Sequence, residues 1–214
     1  MGRTISAFVV AALLVLASAA DAQVILSNYP PVNDTNTTAD VNATRWKALS
    51  FSMPAGPGAP VGDLRVRLGD YDLASEAPIF EIRDHTGSTT APGTNALLTF
   101  TAPAPSTTAI QDFTFTPSSS FTLAGGTSYW LVMRGVTGSN VDWRGSSPPI
   151  VPTGIATYGG QSLFSSNAGS TWSNSATINT FELLAVPEPA SAGVLGAGAL
   201  AALSRRRVRR EPAR

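Results

Sequence analysis

Chemistry needs particular side chains within reach of one another, and this chain supplies few of them. His85 is the only histidine, in Arg83-Asp84-His85-Thr86-Gly87, and there is no cysteine. Catalysis by His85 would need a nucleophile or carboxylate brought to it from elsewhere in the fold. No serine sits in a Gly-x-Ser-x-Gly elbow. A histidine at a strand end beside a glycine turn reads as a solvated turn residue, and one histidine cannot build a histidine-rich zinc site. Carboxylates gather at Asp63, Asp70, Asp72 and Glu76, and again at Asp34 and Asp40. Such loops could offer oxygens to Ca²⁺, which takes about six to eight of them. Neither has the sixth-position glycine and terminal glutamate of an EF-hand loop, so turn capping by Asp and Asn is the plainer reading. Two carboxylates flanking a sugar are the minimum for glycoside hydrolysis, but their separation cannot be set from sequence. No catalytic, cofactor-binding or metal-binding residue is assigned, no cofactor is expected, and the chain reads as a non-enzyme.

Trp46, Trp143, Trp172 and Tyr71 could together form an aromatic platform for sugar rings, as in carbohydrate-binding modules. Aromatic side chains bury large areas, so core packing is the expectation for each. The run Ser165-Ser166-Asn167-Ala168-Gly169-Ser170-Thr171-Trp172 resembles an Asp-box, with Asn167 where the acid normally sits. In sialidase-like propellers that motif is structural. The resemblance implies a hairpin with Trp172 packed beneath the turn, not sialidase activity. Asn33-Asp34-Thr35, Asn36-Thr37-Thr38 and Asn42-Ala43-Thr44 fit the Asn-x-Ser/Thr pattern and mark a polar, exposed segment.

The elements that must carry these residues follow from composition and periodicity. Charged residues make up 13 % of the 214 positions, and 19 glycines and 16 prolines punctuate them. Short strands between turns suit that mix better than amphipathic helices, whose wet faces usually carry Glu, Lys and Arg. Leu49, Phe51 and Met53 alternate with serines, and Leu64, Val66 and Leu68 with Arg65 and Arg67, the pattern of a strand with one wet face. Residues 79–82, 97–100, 113–116, 129–133, 141–143 and 181–184 complete the set. Among them 129–133 is continuously apolar, as in a central strand. Breakers at 54–62, 86–95, 102–108 and 145–154 separate most of these. The expected fold is all-β: a single antiparallel β-sandwich or jelly-roll domain over residues 23–185, between an N-terminal signal helix and a C-terminal apolar helix. Without disulfides this body must stand on its core. Between residues 23 and 185, seven basic side chains face eleven acidic ones, a net charge of −4. An acidic body with one lysine argues against nucleic acid or anionic lipid as its partner.

Both ends read as address labels. In residues 1–22, Arg3 precedes an apolar run, and Ala20-Asp21-Ala22 forms a small-x-small cleavage site before Gln23. Twelve helical residues span roughly 18 Å against a hydrocarbon core of about 30 Å, too short for a permanent anchor. At the other end, residues 186–214 open with Val186-Pro187-Glu188-Pro189 and continue as an apolar stretch to Leu203. Arg205, Arg206, Arg207, Arg209 and Arg210 follow. Arginines favour the cytoplasmic side of a membrane, so this tail would stall there with the body outside.

The tetrapeptide, apolar stretch and arginine cluster resemble the PEP-CTERM sorting signal of exosortase substrates in exopolysaccharide-making Gram-negative bacteria. The resemblance covers about a tenth of the chain. It implies processing near Pro187, Glu188 and Pro189, with signal peptidase and exosortase as the processing partners and the inner membrane as a transient one. The order Arg45-Trp46-Lys47-Ala48-Leu49-Ser50-Phe51, Tyr129-Trp130-Leu131-Val132 and Val141-Asp142-Trp143-Arg144 resembles choice-of-anchor domains. These are extracellular β-sandwich modules without assigned chemistry. The expected function is therefore that of an exported, non-enzymatic surface or exopolysaccharide-matrix protein. The alternatives are a carbohydrate-binding module attached to extracellular polysaccharide and, last, a secreted glycan hydrolase.

Overall fold

The structure is a computed structural model that describes residues 22–35, 38–85, 90–106 and 108–187. The two expected flanking helices lie outside these residues, and Gln23–Val186 forms one compact unit. Among the described residues there is no α-helix, and none long and apolar enough to cross a membrane. Thirteen strands form one continuous antiparallel sheet. Its hydrogen-bonded path begins with β1 (Val24–Ser27), β13 (Phe181–Ala185), β4 (Ala59–Gly69) and β7 (Gln111–Pro117). It continues through β6 (Ala96–Thr101), β5 (Ile79–Arg83), β9 (Ser128–Arg134), β3 (Trp46–Ser52), β11 (Thr157–Ser165) and β12 (Ser173–Asn174). Off this path, β10 (Val141–Arg144) bridges β4 and β2 (Thr38–Val41), and β8 (Thr122–Leu123) pairs the start of β4.

β6 and β7 share only two residue pairs, Phe100 with Pro117 and Thr101 with Thr116. There the sheet curls over onto itself, an arrangement consistent with a β-sandwich. The far ends of the path also meet. Ser27 and Thr153 exchange two backbone hydrogen bonds of 2.8 Å, and the amides of Ile155 and Ala156 donate to the carbonyls of Val24 and Ile25. These residues lead directly into β11, so the curl is nearly closed.

All eight strands expected from periodicity are present. In β4, Leu64, Val66 and Leu68 are buried, while Arg65 and Arg67 turn to the opposite, wet face. There Arg67 stands across from Asp112 and Arg65 across from Glu182. Asp112 takes hydrogen bonds from Arg65 (3.0 Å), Arg67 (3.1 Å) and the Tyr29 hydroxyl (2.6 Å). The inner face is one apolar cluster drawn from both halves of the sheet. At its centre Phe80 of β5 meets Phe115 of β7 at 4.8 Å and Trp143 of β10 at 5.1 Å, both edge to face. β9 is covered on both sides: Tyr129, Leu131 and Met133 enter this cluster, and Trp130 and Val132 enter a smaller one on the outer face. That double burial is why its sequence shows no alternation.

Trp143 is fully buried, and its indole N–H donates to the Thr180 carbonyl at 2.9 Å. Replacing it removes that bond and opens a large void. Trp143→Ala is expected to cost about 3–5 kcal/mol, read as a lowered urea midpoint in equilibrium unfolding.

Candidate functional site

The four aromatics singled out by sequence do not make one surface. Trp143 and Tyr71 are core residues, 0 % and 1 % exposed, and the Tyr71 hydroxyl is bound to the Pro103 carbonyl at 2.7 Å. Trp46 and Trp172 are half-buried on the outer face, where they pack against Ala48, Trp130, Val132 and Leu163. The Trp46 ring has close neighbours. The guanidinium groups of Arg83 and Arg134 lie 5.3 and 5.9 Å from its ring, and a Cβ added at Gly169 would come within 2.6 Å of its Cζ3. Glu81, itself buried, ties the two arginines together at 2.8 Å each. A sugar platform built from these four residues is therefore ruled out.

His85 is corrected in one respect. It is half-buried, its ring 5.3 Å from that of Trp130, rather than simply solvated. β9 is a central strand whose outer face needs cover, and the residues after β5 supply it. Among the described residues, no three His, Asp or Glu side chains lie together as a metal would require. Of the carboxylates singled out by sequence, two are held by arginines, while one Glu76 oxygen is buried without a hydrogen-bond partner. Asp34 binds Arg67 at 2.7 Å, and Asp40 binds Arg45 at 3.1 Å. Asp142 stands across from Asp40 in the β10–β2 pair. Burial first, and then Asp40, push its carboxyl up to about 6 although Arg144 lies 2.7 Å away.

The Asp-box-like segment is a hairpin turn between β11 and β12. Asn167 Oδ1 accepts from the Thr171 amide and the Ser165 hydroxyl at 2.9 Å each. Ser165 Oγ in turn accepts from the amides of Asn167 and Gly169. Ala168 and Gly169 both have positive φ, 54° and 81°, which closes the turn. Trp172 joins the outer-face cluster. Asparagine thus does the turn-closing work here without a carboxylate.

Periodicity did not single out the residue that now stands out. Lys47, the only lysine, has the parity of Leu49 and Phe51 and so points inward from β3, with 3 % exposure. Its Nζ donates to Ser175 Oγ at 2.6 Å and, at longer range, to the Thr177 carbonyl (3.4 Å) and Ser162 Oγ (3.5 Å). Among the described residues it forms no ion pair. Burial without a countercharge pushes its pKa down to about 7. The alternation Lys47-Ala48-Leu49-Ser50-Phe51 already carried the signal, since it aligns a charge with the apolar register.

Lys47 lies in the wall of a cleft of about 180 Å³ that also takes in Thr38, Asp40, Phe164, Ser175 and Thr177. Phe164 is its direct cross-strand partner on β11 and is 39 % exposed, unusual for a phenylalanine here. Thr38 Oγ1 is buried and has no hydrogen-bond partner. The cleft thus combines the Lys47 amine, the Asp40–Arg45 ion pair, the rings of Trp46 and Phe164, and several hydroxyls. Such a site can hold a small polar ligand by its hydroxyls and carry a compensating negative charge beside Nζ.

The buried amine makes stability depend on pH. With a folded pKa near 7 and an unfolded value of 10.5, the unfolded chain binds the Lys47 proton more tightly. The cost of burying the charge is full below pH 7 and fades as pH rises toward 10.5. Lys47→Met is expected to stabilise the protein by about 2–3 kcal/mol more at pH 6 than at pH 9.5. Paired urea titrations at the two pH values would read this difference, and equal gains would show that the amine carries no such cost.

No protein-family model matches the chain, and no curated protein matches it.

Proposed function

We propose that this chain is an exported, non-enzymatic surface or exopolysaccharide-matrix protein, sorted and processed through its C-terminal tail. The body is proposed to be a single sandwich-like module of the choice-of-anchor kind. The observation that carries the reading is where the backbone hydrogen bonding of the body begins and ends. The Gln23 carbonyl accepts from the Ala185 amide at 2.8 Å, and the Val186 amide donates to the Pro60 carbonyl at 3.0 Å. These are the residues next to which the sequence motifs mark the two cuts, after Ala22 and at Val186-Pro187-Glu188-Pro189. Among the described residues, these bonds mark the outermost backbone pairing of the body. Ala20, Glu188, Pro189 and the arginine cluster lie outside the described residues. Signal peptidase and an exosortase are the proposed processing enzymes. The inner membrane of a Gram-negative cell is the transient anchor.

Retention on extracellular polysaccharide is the second reading, and the cleft beside Lys47 favours it. Its exposed Phe164 ring among hydroxyl groups is the kind of surface that accepts a sugar.

Intact-mass analysis of the exported protein is expected to give a species that starts at Gln23 and lacks Arg205 through Arg214. A mature form that retains those arginines would overturn the sorting proposal.

A further inference from the structure

The cleft between β2, β3 and β11 has a chemical asymmetry that points to one class of ligand. A buried ammonium is costly unless a negative charge compensates it. The three acceptors around Lys47 Nζ are two hydroxyls and a carbonyl, all neutral. Asp40, the carboxylate in the cleft wall, is bound to Arg45, and Asp142 across from it is bound to Arg144. The protein thus supplies an uncompensated buried cation at Lys47, while its nearby anions are paired with Arg45, in the same cleft wall, and with Arg144. The partnerless Thr38 hydroxyl and the exposed Phe164 ring share the same cleft.

We propose that this cleft is a binding subsite for a single carboxylated sugar residue, a uronic acid unit of an extracellular polysaccharide. Its carboxylate sits beside Lys47 Nζ. The apolar face of its ring lies on Phe164, and its hydroxyls meet Ser175 and Thr177. A volume of about 180 Å³ suits one sugar ring. The net charge of −4 on the body opposes long-range attraction of a dense polyanion. Recognition is therefore short-range and confined to one carboxylate. The proposal rests on the polysaccharide-retention reading and specifies its ligand.

Calorimetric titration of the full chain at pH 6 tests it, with trigalacturonate, its methyl ester and acetate as the three probes. Trigalacturonate is expected to bind about tenfold or more tighter than the ester, which has the same rings without the charge. Lys47→Met is expected to abolish that preference, and Phe164→Ala to weaken both sugars. Because Lys47→Met relieves a buried charge, loss of binding in it cannot be put down to misfolding, and its urea midpoint would verify this. Equal affinity for acid and ester would overturn the carboxylate assignment and leave polysaccharide retention standing. Binding of acetate as tight as that of trigalacturonate would overturn the sugar assignment in favour of a free carboxylate. Failure of both sugars to bind would overturn this subsite, and failure to bind any of a set of neutral and acidic polysaccharides would overturn the retention reading as well.

Discussion

The contact of Phe80 with Phe115 and Trp143 holds the two halves of the sheet together, and the rest of the body depends on it. Phe80 comes from β5 on one side of the curl, and its two partners come from β7 and β10 on the other. The halves share only two residue pairs at β6 and β7 and a short set of backbone bonds between residues 24–27 and 153–156, so little hydrogen bonding fixes the bend. The bend is set instead by what must be buried between the halves. With no cysteine to cross-link them, that burial is the main source of cohesion. The edge-to-face geometry adds direction to an otherwise non-directional force.

The same constraint explains which parts of the fold were legible in the sequence. Leu64-Arg65-Val66-Arg67-Leu68 could be read because one face of β4 meets the core and the other meets a solvated ion network. The run at 129–133 could be read as central because both of its faces are covered. β1, β2 and β8 were not anticipated, and β11 and β12 were legible only as the two arms of the Asp-box-like hairpin. β1 has four residues, too few to show a period, and β2 lies in a polar stretch that read as an exposed segment. β11 carries Gly159 and Gly160 where side-chain alternation would have shown, and its pairing with β3 shifts register between Tyr158 and Ser162. Pro54 to Gly62 read as a breaker, yet β4 already begins at Ala59. Proline is tolerated there because it stands near the strand's start.

The candidate site was less legible than the fold. The Asp-box-like hairpin was recognisable because its turn is made by local side-chain bonds, all within a few residues. The aromatic platform was not, since whether a tryptophan lines a core or a surface is decided by the pairing of distant strands. Lys47 illustrates the reverse case. Its inward parity was visible, but its neighbours Ser162, Ser175 and Thr177 come from a region more than 100 positions away. Only the β3–β11 pairing brings them to it. A residue that costs stability at neutral pH, placed where apolar side chains would serve, is what a site maintained for binding would look like.

Strip-like contacts at the rims of the sheet have a consequence for how copies of this chain behave at high concentration. An unprotected outermost strand is a template on which a second chain can stack and seed fibres. Here the outermost β1 is bonded by residues 153–156 of its own chain, and the opposite rim, β12, is only two residues long. Among the described residues, neither β1 nor β12 presents a long row of free backbone groups, although β12 covers β11 only at Leu163 and Phe164. Copies packed side by side are thereby discouraged from pairing through β1 or β12.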